Sequence, residues 1–126
     1  MRDIILDCDP GHDDAVAIIL AGGNPAINLL GVTTVGGNQT LPKVTRNALA
    51  TLRVARLDDV AVYPGCDRPL VRSVEVAEDI HGDSGLDGVE LPEPTHGPED
   101  THAVDFIIDT VMNSEPGTIT LVPTGP

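Results

Sequence analysis

The pattern of apolar and polar positions along this chain switches repeatedly between two periods. Ile4, Ile5 and Leu6 are consecutive and apolar, as in a strand covered on both faces. The strand predicted over Asp3–Leu6 is broken by Pro10-Gly11. From Asp13 the pattern becomes helical. Ala15, Val16, Ile18, Ile19 and Leu20 fill a broad apolar face, and Gly22-Gly23 with Asn24-Pro25 stop it. Ile27 to Val35, rich in branched residues, predict a second strand that ends at Gly36-Gly37-Asn38. A second helix starts near Thr40, with Pro42 tolerated in its first turn. Leu41, Val44, Ala48, Leu52 and Ala55 recur at three- and four-residue steps and give it one buried stripe. Val60 to Tyr63 predict a short third strand, closed by Pro64-Gly65.

Residues 66–100 carry many Gly, Pro, Asp and Glu residues and little periodicity. A loop of this length in a compact domain is a lid or binding loop, or else disordered, and a functional lid is the reading adopted. Helix returns over Ala103 to Met112, and a strand over Thr118 to Val122 runs into Pro123-Thr124-Gly125. No internal repeat interrupts this order. Strands alternating with helices imply parallel pairing and right-handed crossovers. The predicted class is α/β, with an open, mostly parallel, doubly wound Rossmann-like sheet. In such sheets the ligand crevice lies beyond the carboxyl ends of the strands. The aspartates after the first strand, Asn38, Gly65 and Thr124 each follow a predicted strand end, so they should converge on one edge.

Composition changes this picture only in part. The 126 residues suffice for one domain with a real core. No run of about 18 apolar residues is present, so no membrane span is expected. An aspartate at position 3 stands where a signal peptide would be apolar, so no secretion signal is expected. Two cysteines, Cys8 and Cys66, make no disulfide framework, and a reducing cytoplasm is the expected compartment. The net charge of −13 argues against nucleic acid as a partner, which needs a basic face. Much of that charge needs no reading beyond solubility.

The first acidic cluster is different because it is compact. Asp7, Asp9, Asp13 and Asp14 lie within eight residues of one another. One like-charge pair at about 4 Å costs roughly 4 kcal/mol at an effective dielectric of 20. A hard divalent cation bound by oxygens is the simplest relief. Asp7 and Asp9 alternate about a strand end and share a face. With Asp13 and Asp14 opening the next helix, the four carboxylates are expected to aim at one point. Capping of the helix and its dipole is the plainer account of Asp13 and Asp14, but it leaves Asp7 and Asp9 unexplained. Alternation points Cys8 away from its flanking aspartates, as a buried structural thiol. His12 faces either the site or solvent.

These residues carry a family resemblance. "DCDPGHDDAVAIILA" resembles the N-terminal signature of the nucleoside hydrolases, the inosine–uridine-preferring N-ribohydrolases. "LLGVTTVGGNQTLPKVTRNA" is similar to that family's second strand and following helix, "PGCDRPLVR" and "HGDSGLDG" to the approach to its mobile active-site loop, and "ITLVPTGP" to its next core strand. The resemblance implies hydrolysis of the N-glycosidic bond of ribonucleosides to free base and ribose by a calcium-bound water. It implies a role in purine and pyrimidine salvage, and a dimeric or tetrameric homo-oligomer. By matching position, Asp9 and Asp14 would bind Ca2+ through their carboxylates and Thr124 through its backbone carbonyl. Asp9 would also be the general base. Asp13 would hold ribose hydroxyls, Asn38 would contact the water and ribose, and Asp7 would support the site. His81, on the lid, would approach the sugar or base. Family members are considerably longer, so the resemblance also implies a truncated fold, with 1–126 as the N-terminal portion of one domain. The missing part would supply a further aspartate ligand and, in purine-active members, a histidine acid. Two alternatives stand beside this reading. One is a non-catalytic calcium- or nucleoside-binding fragment. The other is a phosphotransferase of the haloacid dehalogenase type, whose Asp-x-Asp also ends a strand but is not followed by Pro-Gly.

Overall fold

The first strand, β1 (Arg2–Cys8), sits between two parallel neighbours, which is why Ile4, Ile5 and Leu6 are all buried. A computed structural model describes residues 1–126. The remaining elements are α1 (His12–Gly23), β2 (Ile27–Thr34), α2 (Leu41–Val54), β3 (Val62–Pro64), a one-turn α3 (Glu78–His81), α4 (Ala103–Met112) and β4 (Ile119–Pro123). All strand pairings are parallel, in the spatial order β3-β2-β1-β4. The chain therefore winds outward from β1 to β3 and then returns past β1 to β4. The winding reverses between β1 and β4, which is where the ligand crevice of an open α/β sheet is expected. This is the α/β sheet anticipated from the sequence.

The two faces of the sheet are covered unequally. Leu6, Cys8, Val32 and Val62 pack with Ile18 of α1 and Ala48, Leu49 and Leu52 of α2 in one core. On the other face Phe106 of α4 stacks on Tyr63, with ring centroids 3.8 Å apart, and lies against Gly31. Gly31 and Val32 are neighbours on β2 and point to opposite faces, so α4 lies across the sheet from α1 and α2.

Three details differ from the reading of the pattern. The broad apolar face of α1 is not a buried face: Ile18 and Ala21 are buried, whereas Val16, Ile19 and Leu20 are exposed. Only a narrow stripe of a helix on the sheet's flank reaches the core. On α2 the outcome is reversed. Val44, Ala48 and Leu52 form the expected stripe, but Thr45, Asn47, Leu49, Ala50 and Thr51 are buried too. The loop after β3 folds back over the side of α2 that periodicity assigns to solvent. That loop also contains α3, a turn too short to announce itself by periodicity.

The packing gives a direct test. Ile18 is fully buried, and Ile18→Ala should cost about 2–5 kcal/mol in urea unfolding. Leu70 is 98% exposed, and Leu70→Ala should stay within about 0.5 kcal/mol of the parent. Equal effects would show that the core is wrongly placed.

Candidate active site

At the carboxyl end of β1 the chain leaves the sheet with Asp9 and turns into α1 through Pro10-Gly11. Asp9 and Asp14 are both buried, at 6% and 3% exposure. The Asp9 N–H donates to Asp14 Oδ2 at 2.9 Å. From the end of β2, Asn38 locks the same residue twice: its N–H donates to Asp9 Oδ2 at 2.8 Å, and its Nδ2 donates to the Asp9 carbonyl at 2.9 Å. This approach needs a glycine beside it. A Cβ on Gly37 would lie 2.3 Å from Asp9 Oδ2. Beyond β4, the N–H groups of Thr124 and Gly125 both donate to the Asp7 carbonyl, at 2.7 and 3.2 Å. Three strand ends are thus tied together by backbone and side-chain hydrogen bonds before any ligand is considered.

A cavity of about 380 Å³ opens there, lined by Asp9, Asp13, Asn38 and Thr124 among others. Four of the residues picked out by the sequence share it. Two more serve it from behind. Asp14 lies beneath Asp9, and Asp7 accepts a 2.6 Å hydrogen bond from Thr33 Oγ1. His81 does not line the cavity; its ring packs on Gly11 and His12.

The four aspartates therefore do not meet at one point, and no group of three His, Cys, Asp or Glu side chains converges at ligand distance. Helix geometry separates the second pair: adjacent helical residues do not face each other, so Asp14 turns inward while Asp13 stays exposed at the rim. Asp7, committed to Thr33, cannot serve as a nucleophile facing the cavity, which removes the support for the phosphotransferase alternative. Cys8 is the buried thiol expected, with Sγ 3.6 Å from the Thr33 carbonyl. Burial, and then the charge of Asp14, push its pKa well above the ordinary thiol range.

The electrostatics of the pair are unusual. Burial pushes the Asp9 carboxyl up to about 7; the Asn38 N–H opposes the rise and Asp14 adds to it. Neither Asp9 nor Asp14 is in an ion pair; the three present join Lys43 to Asp83, Arg46 to Glu93 and Arg53 to Asp58. Two adjacent buried carboxylates without a protein cation are an all-oxygen donor pair that suits a hard divalent ion. The set is partial, since such ions take six to eight oxygens in the case of calcium.

Sequence reasoning missed the residues that hold the loop over this site. Gln39, buried at 1% exposure, donates through Nε2 to Glu78 Oε1 and to the Asp83 carbonyl, each at 2.9 Å. Asn47 Nδ2 donates to the carbonyls of Pro10 and Ser84, and the Ala77 N–H donates to the Asn38 carbonyl. Glu75, two residues before that anchor, also lines the cavity. No local pattern distinguishes these positions; their roles arise from what the fold brings opposite them. A larger open groove of about 710 Å³ between α2 and residues 94–98 carries no carboxylate and lies apart from this chemistry.

Two outcomes follow from the geometry. Asp9 has its folded pKa raised from 3.8 to about 7, so between those values the folded chain holds a proton that the unfolded chain has lost. Its contribution is fully present below about 4 and lost as pH rises through 7. In chelator, the Tm should therefore fall by several degrees between pH 5 and 8, and Asp9→Asn should flatten that slope. An unchanged slope in the variant would remove Asp9 from the account. Separately, Gly37→Ala should destabilise by about 1–3 kcal/mol in urea unfolding, because the added methyl displaces the Asp9 carboxylate.

Comparison with known proteins shows the family. The family model described as inosine-uridine preferring nucleoside hydrolase matches residues 4–126. The chain is 58% identical over 125 residues to an inosine-uridine preferring nucleoside hydrolase of Crithidia fasciculata, covering 98% of this chain and 40% of that one. It is 54% identical to a pyrimidine-specific ribonucleoside hydrolase, RihB, of Escherichia coli O157:H7, covering 99% and 39%. Among solved structures, a purine-preferring ribonucleoside hydrolase from Gardnerella vaginalis superposes with a TM-score of 0.92 at 40% identity, over 99% of this chain and 40% of that one. The chain thus spans about 40% of the length of the relatives it matches. The family model and these identities cover nearly the whole chain, and the chain belongs to the inosine-uridine preferring nucleoside hydrolase family.

Proposed function

We propose that this chain forms the cation- and ribose-binding part of an enzyme that hydrolyses the N-glycosidic bond of ribonucleosides. The observation that carries the reading is the buried Asp9–Asp14 pair, without a protein cation, beneath a cavity shared by Asp13, Asn38 and Thr124. Asp9, Asp14 and the Thr124 carbonyl are the groups to hold calcium. When bound, that ion supplies a water of lowered pKa and a fixed position for the ribose diol. Asp9 takes the proton of the attacking water. Asn38, held by its two bonds to Asp9, orients that water and a ribose hydroxyl. Asp13, exposed on the rim, accepts from ribose hydroxyls. As the bond to the base breaks, positive charge grows on the sugar, and the carboxylates stabilise it electrostatically. Asp7 supports the strand end through Thr33, and His81 is the loop residue nearest to a role at the sugar or base. The setting that fits is nucleoside salvage by a cytoplasmic homo-oligomer. No helix is long and apolar enough to cross a membrane.

A second reading, a calcium- or nucleoside-binding segment without turnover, is favoured by one observation: no third acidic or histidine ligand joins Asp9 and Asp14. Both readings predict that calcium raises the Tm of the chain and that Asp9→Asn abolishes the rise. The 126-residue chain by itself should bind calcium weakly and release negligible ribose from inosine or uridine; robust turnover would contradict the partial ligand set. The reaction is tested in a chimera in which residues 1–126 replace the matching segment of the Gardnerella enzyme. Inosine should be hydrolysed, with Asp9→Asn lowering kcat by about 10³-fold. A folded, calcium-binding chimera without turnover would favour the binding segment.

A further inference from the structure

The turn between β1 and α1 does more than carry aspartates. The loop residue His81 is seated on it. The His12 backbone N–H donates to His81 Nδ1 at 3.3 Å, and His12 Nδ1 stands 3.2 Å from the same nitrogen. The two rings stack with centroids 5.4 Å apart and planes 25° apart. Gly11 makes room: a Cβ there would lie 2.5 Å from His81 Nδ1. On its other edge, His12 Nε2 lies 2.9 Å from the Asp87 carbonyl. One side chain thus touches both ends of the His81–Asp87 turn.

That turn is a closed unit. The Asp87 N–H donates to the His81 carbonyl at 3.2 Å. The Asp87 carboxylate accepts from the N–H groups of Asp83 and Ser84 and from Ser84 Oγ, at 3.2, 3.1 and 2.7 Å. On the α2 side, Gln39, Lys43 and Asn47 hold residues 82–84. On the α1 side, His12 is the side chain that holds the turn.

We infer that His12 is a positioning residue: it docks the His81–Asp87 turn on the start of α1 and fixes the His81 ring as the tautomer protonated at Nε2. The tautomer follows from donor chemistry. A backbone N–H can only donate, so the Nδ1 it faces must carry the lone pair, and the proton of the neutral ring sits on Nε2. The Nε2–H of His81 makes no hydrogen bond within the chain, so it is free to donate elsewhere. The inference rests on the proposed function only in reading the loop as substrate-facing; the seating itself stands on geometry.

Nitrogen-15 NMR of the 126-residue chain at alkaline pH, with amide exchange, tests it. The wild type should show His81 protonated at Nε2. His12→Ala, which keeps the backbone N–H but loses the ring, should lower the protection of the Asp87 amide by about tenfold, while the Val32 amide in the core keeps its protection. His12→Gln, which retains a side-chain N–H for the Asp87 carbonyl, should restore most of that protection. A wild-type proton on Nδ1 would overturn the inference, and so would Asp87 protection within about twofold of wild type in a folded His12→Ala chain. Should His12→Ala fail to fold, the wild-type tautomer decides. Neither readout needs calcium, ribose or turnover, so failure of the hydrolase reading and failure of this inference are separate results.

Discussion

Two carboxylates buried side by side are an electrostatic liability, and much of this structure is arranged around tolerating one such pair. Asp9 and Asp14 share a site from which water is largely excluded and which no lysine or arginine enters. Backbone and amide donors offset part of the cost. Asp14 accepts the Asp9 N–H, and Asp9 accepts the Asn38 N–H. The positive end of α1 lies nearby. The remainder appears as the raised pKa of Asp9. Such an all-oxygen donor set suits a hard cation.

The sheet makes the pair possible. Because β1 is central, its carboxyl end is flanked by the ends of β2 and β4. Asn38 arrives from one side and Thr124 from the other, at fixed register. The bonds from the Asp7 carbonyl to Thr124 and Gly125, and from the Cys8 carbonyl to Val35, brace those ends against one another. Positioning by strand ends is more exact than positioning by free loops. The loop after β3 is then secured by side chains of the elements beneath it, Gln39, Asn47 and His12 among them.

The family comparison and the geometry carry different weights. Similarity across nearly the whole chain fixes the family, and the relatives differ in the preference their names specify: inosine and uridine, pyrimidines, purines. Those relatives agree on this segment of about 40% of their length.

Read alone, the sequence determined the element order, the parallel sheet and the edge on which the functional residues gather. Those follow from short-range physics: the 2 and 3.6 periods, breaks at Pro and Gly, and the rule that crossovers keep one hand. It also singled out Asp9, Asp13, Asn38 and Thr124, which share one cavity because each lies in the stretch after a strand end or at a helix start. Only the tertiary structure decided how the aspartates divide. Asp14 turns inward, Asp13 outward and Asp7 toward Thr33, which depends on what lies opposite each one. The same holds for the buried outer side of α2, the exposed face of α1 and the Gln39 anchor. His12, read as facing site or solvent, stays exposed and meets a loop some seventy residues away. Contacts between residues so far apart in the chain leave no local period, since they are set by packing after the elements have formed.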